Sequence, residues 1–143
     1  MEFQVEQVIH AAPAEVARIM FDPALEMEWI TNATKVEVLT PGPVGVGARI
    51  RREGGFMGRT YAWVWEVTAF EPERLMEMSF VEGPTEGAII FEVSPTAGGS
   101  IAMIHLRSKP NLPRPITNWF AKHDLAADLA RLARLVAARQ AAA

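Results

Sequence analysis

Polar and apolar positions change period along this chain, and each change predicts a change of element. Phe3, Val5 and Gln7 alternate with Gln4, Glu6 and Val8 ahead of Ile9, a period of two that predicts a strand. Pro13 then suits the first position of a helix, where its missing N–H would be unpaired in any case, and Glu15 complements the positive helix end. Val16, Ile19 and Met20 form the apolar stripe of that short helix. Asp22-Pro23 restarts the chain as an N-cap followed by a first-turn proline, with Leu25, Glu26 and Trp29 behind it at helical spacing.

After Asn32 the period returns to two. Val36 and Val38 predict one strand and Ala48 to Arg52 the next, separated by the Pro-Gly-Pro turn at Pro41 to Pro43. Further strands are predicted over Arg59 to Phe70, Arg74 to Val81, Ala88 to Ser94 and Ser100 to Lys109. The predicted turns are Glu53-Gly54-Gly55 with Gly58, Glu71-Pro72-Glu73, Glu82-Gly83-Pro84 and Ala97-Gly98-Gly99. Connections this short make neighbouring strands antiparallel. After a loop holding Pro110, Pro113 and Pro115, residues Ile116 to Gln140 contain neither Pro nor Gly and are rich in Ala, Leu and Arg, which predicts a long helix. Leu125, Leu129, Leu132 and Val136 share one face of it, and Arg131, Arg134 and Arg139 lie largely off that face. The Ala-rich end is expected to fray.

This order, a strand, two short helices, six further strands and a long helix, predicts an α+β fold with a seven-stranded antiparallel sheet. The striped helix needs that sheet to cover its apolar face. With 143 residues the chain is expected to form a single domain spanning 1–143 that buries about two-thirds of its unfolded surface. Half the residues are hydrophobic and the net charge is −3, which predicts a packed globule without nucleic acid as a partner. Cysteine is absent, which excludes disulfides, thiol nucleophiles and thiolate metal sites. The start lacks a basic region followed by an apolar run, and no segment approaches the roughly 18 uninterrupted apolar residues of a membrane span. A soluble cytoplasmic protein without integral membrane association is the expectation.

Tyr61, Trp63, Trp65 and Val67 share one face of their strand, as do Met76, Met78 and Phe80 in the next, and Ile89, Phe91 and Val93 in the one after. Ile104, with Ala102 and Leu106, is the inward set of the last strand. Read as a site, this set would make an apolar pocket floored by Trp63, Trp65, Met78, Phe80 and Phe91 and roofed by the final helix. The same side chains would equally meet in the middle and leave no void. A single bulge near Thr68 to Phe70 would reverse a strand's assignment.

Polar candidates are few. His10 ends the first strand and reads as structural, His105 lies in the last strand, and Glu66 and Glu77 point away from the proposed pocket. No carboxylate pair, Gly-rich loop, nucleophile elbow or metal-ligand spacing is present, so neither a metal nor a cofactor is expected. His123 lies on the helix side shared by Trp119, Phe120 and Ala127, and is the one weak candidate for a catalytic proton donor or acceptor at the pocket mouth; a solvent-facing imidazole is the alternative. The segment Lys109 to Pro115 is either a semi-rigid lip carrying Leu112 and Arg114 or a plain connector. Ile101 and Met103, on the outer face of the last strand, would form an apolar patch for another protein or the seam of a homodimer.

The run from Ile9 to Glu37, with Pro13, Val16, Asp22, Pro23 and Trp29 at recurrent family positions, resembles the START/Bet v 1-like superfamily (SRPBCC), in particular its polyketide cyclase/dehydrase-like branch. The resemblance continues through Gly45 to Ile50, through Trp65 to Leu75 and into the C-terminal helix, so it spans nearly the whole chain. It implies a helix-grip fold, a curved sheet wrapped around the last helix, with a cavity between them. It also implies binding of a hydrophobic small molecule or lipid in that cavity, whose expected lining is Tyr61, Trp63, Trp65, Met76, Met78, Phe80, Phe91, Ile104, Trp119 and Phe120. Two other functions stay open: a polyketide aromatase/cyclase, for which this lining offers no convincing catalytic set, and a protein-interaction module. Fold alone does not decide among them.

Overall fold

A computed structural model describes residues 2–56, 58–83, 86–109 and 114–143, apart from the side chains of residues 56 and 114–123. The opening alternation becomes strand β1 (Glu2–Ile9), in which Val5 and Ile9 are buried and Glu2, Gln4, Glu6 and Val8 are exposed. Helix α1 (Pro13–Met20) follows with Pro13 at its start and buries Val16, Ala17, Ile19 and Met20. Asp22 then caps a 3-10 helix over Pro23–Glu28, its carboxylate accepting from the Ala24 N–H at 3.0 Å. Side chains three apart eclipse in that tighter helix, so Pro23, Glu26 and the following Trp29 point one way, and all three are buried.

The remaining strands are β2 (Ala33–Val38), β3 (Arg49–Phe56), β4 (Arg59–Glu71), β5 (Leu75–Glu82), β6 (Gly87–Thr96) and β7 (Gly99–Ser108). They form a seven-stranded sheet in the order β1-β7-β6-β5-β4-β3-β2, each neighbour antiparallel. Strand β3 runs straight through Glu53-Gly54-Gly55, where a turn was expected. Those glycines serve close approach instead: a Cβ on Gly54 would stand 2.7 Å from the Asn32 carbonyl oxygen, which accepts from the Gly55 N–H at 3.2 Å.

Two irregularities set the inner face. Val67 lies opposite Met78, but the next pairs are Ala69 with Glu77 and Phe70 with Met76, so Thr68 is an extra residue and the inward parity changes after it. A second shift, between Val64 with Glu82 and Trp65 with Phe80, leaves Val81 unpaired and exposed on β5.

The last element is α2 (Arg114–Ala142). It begins earlier than expected, so Pro115 sits in its first turn, where a helix tolerates proline. It also continues through the alanines that were expected to fray, because alanine is the best helix former. Leu129, Leu132 and Val136 are buried with Val5, Ile9, Ala102 and Ile104 of the sheet and with the α1 stripe in one core. A curved antiparallel sheet gripping a long C-terminal helix is the helix-grip architecture.

Candidate functional site

Cross-strand register decides which side chains share the concave face. Tyr61, Trp63 and Trp65 stand opposite Gly54, Arg52 and Ile50 of β3; Trp65 and Val67 stand opposite Phe80 and Met78 of β5; Met78 and Met76 stand opposite Ile89 and Phe91 of β6; and Phe91 stands opposite Ile104 of β7. Residues directly opposite each other project from the same side, so the expected inner set from the strands is brought together. Its members differ in depth. Met76, Met78, Phe91 and Ile104 are buried in the core, whereas Tyr61, Trp63, Trp65 and Phe80 are only half-buried. Their rings meet in pairs, Tyr61 with Trp63 at 5.8 Å between centroids and Trp65 edge-on to Phe80 at 4.6 Å. The side chains of Trp119, Phe120 and His123 of the expected site, like that of Arg114 and all of Leu112, lie outside what the structure describes.

On this apolar face sits an ion pair that was not foreseen from the sequence. Arg52 occupies the inward position after Ile50 on β3, and Glu26 reaches it from the 3-10 helix. The Arg52 Nε donates to Glu26 Oε2 at 2.6 Å and its Nη2 donates to Glu26 Oε1, a bidentate pair. The guanidinium lies over the Trp65 ring, 4.4 Å from the centroid, and Nη1 points at the Met78 thioether sulfur at 3.5 Å. Arg52 therefore crosses the inner face from β3 over β4 to β5. Glu26 is fully buried and Arg52 is 6% exposed. Two signals could have found the pair: Arg52 has the parity of buried Ile50, and Glu26 has the three-residue spacing of Pro23 and Trp29.

The indole Nε1 groups of Trp29 and Trp65 are buried and have no hydrogen-bond partner among the described residues. Trp29 is fully buried against Phe91, with ring centroids 5.7 Å apart, and its backbone N–H closes on the Glu26 carbonyl at 3.1 Å. Beside it, Thr31 donates from its backbone N–H at 2.9 Å and its hydroxyl at 2.7 Å to the buried Asp128 of α2. Asn32 donates to Asp124 at 3.0 Å, and Arg131 donates to the Thr31 hydroxyl oxygen at 2.6 Å. These bonds hold the helix against the segment that carries Glu26 and Trp29. Burial pushes the Asp128 carboxyl above its ordinary range; the Thr31 bonds and Arg131 oppose that rise, while Asp124 adds to it.

The other polar candidates face outward. His105 pairs with Glu2 at 2.8 Å and Glu66 with Arg49 at 3.1 Å. His10 is exposed just past β1. A separate open cleft of about 690 Å³ lies where α1 and Asp22 meet Val44, Phe70 and Pro72; Glu15, Arg18, Asp22 and Glu73 are among its lining residues. Tyr61, Trp63, Trp65 and Phe80 do not line it.

A family model described as polyketide cyclase/dehydrase and lipid transport matches residues 1–139. The chain belongs to that family. Among curated proteins, none matches the sequence. Solved structures similar to this family member include TTHA0849 from Thermus thermophilus, at 20% identity and a TM-score of 0.85 over 97% of this chain and 99% of that one. Ara h 8.0201 is similar at 16% identity and a TM-score of 0.71, covering 96% of this chain and 98% of that one. The ZhuI aromatase/cyclase from Streptomyces sp. R1128 is similar at 14% identity and a TM-score of 0.75, covering 97% and 93%. At these identities the likeness to the solved structures is one of fold.

Proposed function

We propose that this family member binds a hydrophobic small molecule or lipid in a cavity between the inner face of the sheet and α2, its residues acting as one binding domain. The observation that carries the reading is the unequal depth of the inner face. Toward β7 it closes against Leu129, Leu132 and Val136, whereas toward β4 it carries the half-buried aromatics Tyr61, Trp63, Trp65 and Phe80. Aromatic walls around a few placed polar groups are the usual makeup of a small-molecule site. A cytoplasmic carrier fits this reading; among the described residues no helix is long and apolar enough to cross a membrane.

The test is titration of the full chain with Nile red, a neutral apolar fluorophore. One saturable site that alters tryptophan emission is expected, and Phe80→Trp, which enlarges a half-buried wall residue, should weaken it severalfold while unfolding stays cooperative. Binding that never saturates, or that is indifferent to Phe80→Trp in the folded protein, would place the function elsewhere.

A second reading, polyketide cyclisation, has one observation in its favour. The buried Arg52 guanidinium, fixed by Glu26, is the type of group that stabilises oxyanion character developing on a bound ketone. Turnover of a poly-keto substrate that collapses when Arg52 is replaced in the folded protein would move the function from binding to catalysis.

A further inference from the structure

Around Arg52 the described residues offer hydrogen-bond donors that no acceptor among them takes up. A guanidinium has five N–H groups. Two are donated to Glu26 and one is directed at the Met78 sulfur, a weak acceptor, which leaves donors on Nη1 and Nη2 without use. The Trp65 indole against which the guanidinium lies has a buried Nε1–H with no partner among the described residues. Trp29, at the end of the helix that carries Glu26, has another. Both Glu26 oxygens are engaged by Arg52. A buried polar group without a partner is costly, so a donor-rich interior favours an occupant that supplies oxygen lone pairs.

Charge narrows the class further. Glu26 already balances Arg52, so the pair is neutral as a unit. A carboxylate brought beside it would be one negative charge in excess in an apolar interior, and an ammonium one positive charge in excess. A neutral carbonyl oxygen, as in a ketone, ester or amide, accepts from these donors without adding charge.

We infer that the site selects an apolar molecule bearing a neutral carbonyl oxygen over the carboxylate of matched length, with Arg52 as the specificity-determining donor and the Trp65 and Trp29 indoles as its companions. This rests on the ligand-binding reading above and names the chemistry of the ligand. It also gives Glu26 a role, which is to hold Arg52 flat over Trp65 while cancelling the charge that would otherwise attract acids.

The test compares 2-undecanone with decanoate on the full chain near neutral pH, each measured by displacement of Nile red. The ketone should bind about tenfold or more tightly, the scale of one hydrogen bond from a charged donor. Its binding should also move the indole N–H resonances of Trp65 and Trp29. Arg52→Met alone strands a buried carboxylate, so the variant to use is Glu26→Leu/Arg52→Met, which should bring the affinity ratio toward one, each affinity being read against that variant's own Nile red affinity. Trp65→Phe removes the Nε1 donor and keeps a ring; it should weaken the ketone severalfold more than decanoate, and it decides the matter if the double variant does not fold. Equal affinities, tighter decanoate, or a ketone preference that survives these substitutions overturns the inference while Nile red binding upholds the cavity. Failure of Nile red itself overturns both.

Discussion

Arg52 and Glu26 are where single residues carry most of this protein's character. Two charges taken out of water are tolerable only because the bidentate bonds, the Trp65 face and the Met78 sulfur surround them. Arg52→Met should therefore lower stability by about 3–5 kcal/mol by leaving Glu26 unpaired, whereas Glu26→Leu/Arg52→Met should recover most of the loss. Denaturant unfolding of the variants checks this, and a single variant as stable as the parent would show the pair to be idle. Asp128 makes a second case, through pH. Its folded pKa is raised, so the folded protein keeps a proton that the unfolded chain has released. Its contribution to stability is fully present below the unfolded carboxylate value and is lost as pH rises through the folded one. Asp128→Asn keeps an oxygen for Thr31 and removes the charge, so it should flatten that slope above about pH 4 and be no less stable than the parent near neutral pH. Asp128→Ala removes the acceptor and should cost about 1 kcal/mol. Unfolding curves collected across that pH range separate the three proteins.

At the scale of elements, periodicity carried a great deal and local geometry changed the rest. The four-three-four spacing from Leu125 identified the covered face of α2, and Leu129, Leu132 and Val136 are indeed buried. Leu129→Ala or Leu132→Ala should destabilise by about 2–5 kcal/mol, and Arg134→Ala, on the exposed side, by no more than about 0.5 kcal/mol, both read by thermal or denaturant unfolding. Similar losses at both kinds of site would mean that the stripe does not seal the helix onto the sheet. The strand parities were legible because antiparallel pairing preserves them, and the predicted hazard at Thr68 is a real bulge: Val67 and Phe70 both face inward although three residues apart. The second short helix was legible in its cap and its proline but not in its pitch. The 3-10 pitch aligns Glu26 with Trp29, which docks beside Phe91, a contact made with a strand far along the chain.

For the molecule as a whole, a ligand that enters the folded state alone should raise its stability by mass action. A neutral ligand at one hundred times its Kd should add about 2.7 kcal/mol, seen as a higher Tm that keeps climbing with ligand concentration. A Tm indifferent to a saturating neutral ligand would speak against an internal site. The sequence by itself determined the order of elements, their antiparallel connections and which aromatic residues share a face, because those follow from local periods of two and 3.6 and from turn chemistry that acts within a few residues, while the helix-grip class was implied by the family resemblance. It named Tyr61, Trp63, Trp65 and Phe80 for the same reason. Only the tertiary structure decided that Glu26 meets Arg52, that Trp65 lies under the guanidinium, and that Asp128 holds Thr31. A polar residue at an inward position has the same local pattern whether its partner waits across the core or water does. The distinction is made by long-range packing, which brings residues 26 and 97 positions apart within hydrogen-bond reach and removes the solvent between them.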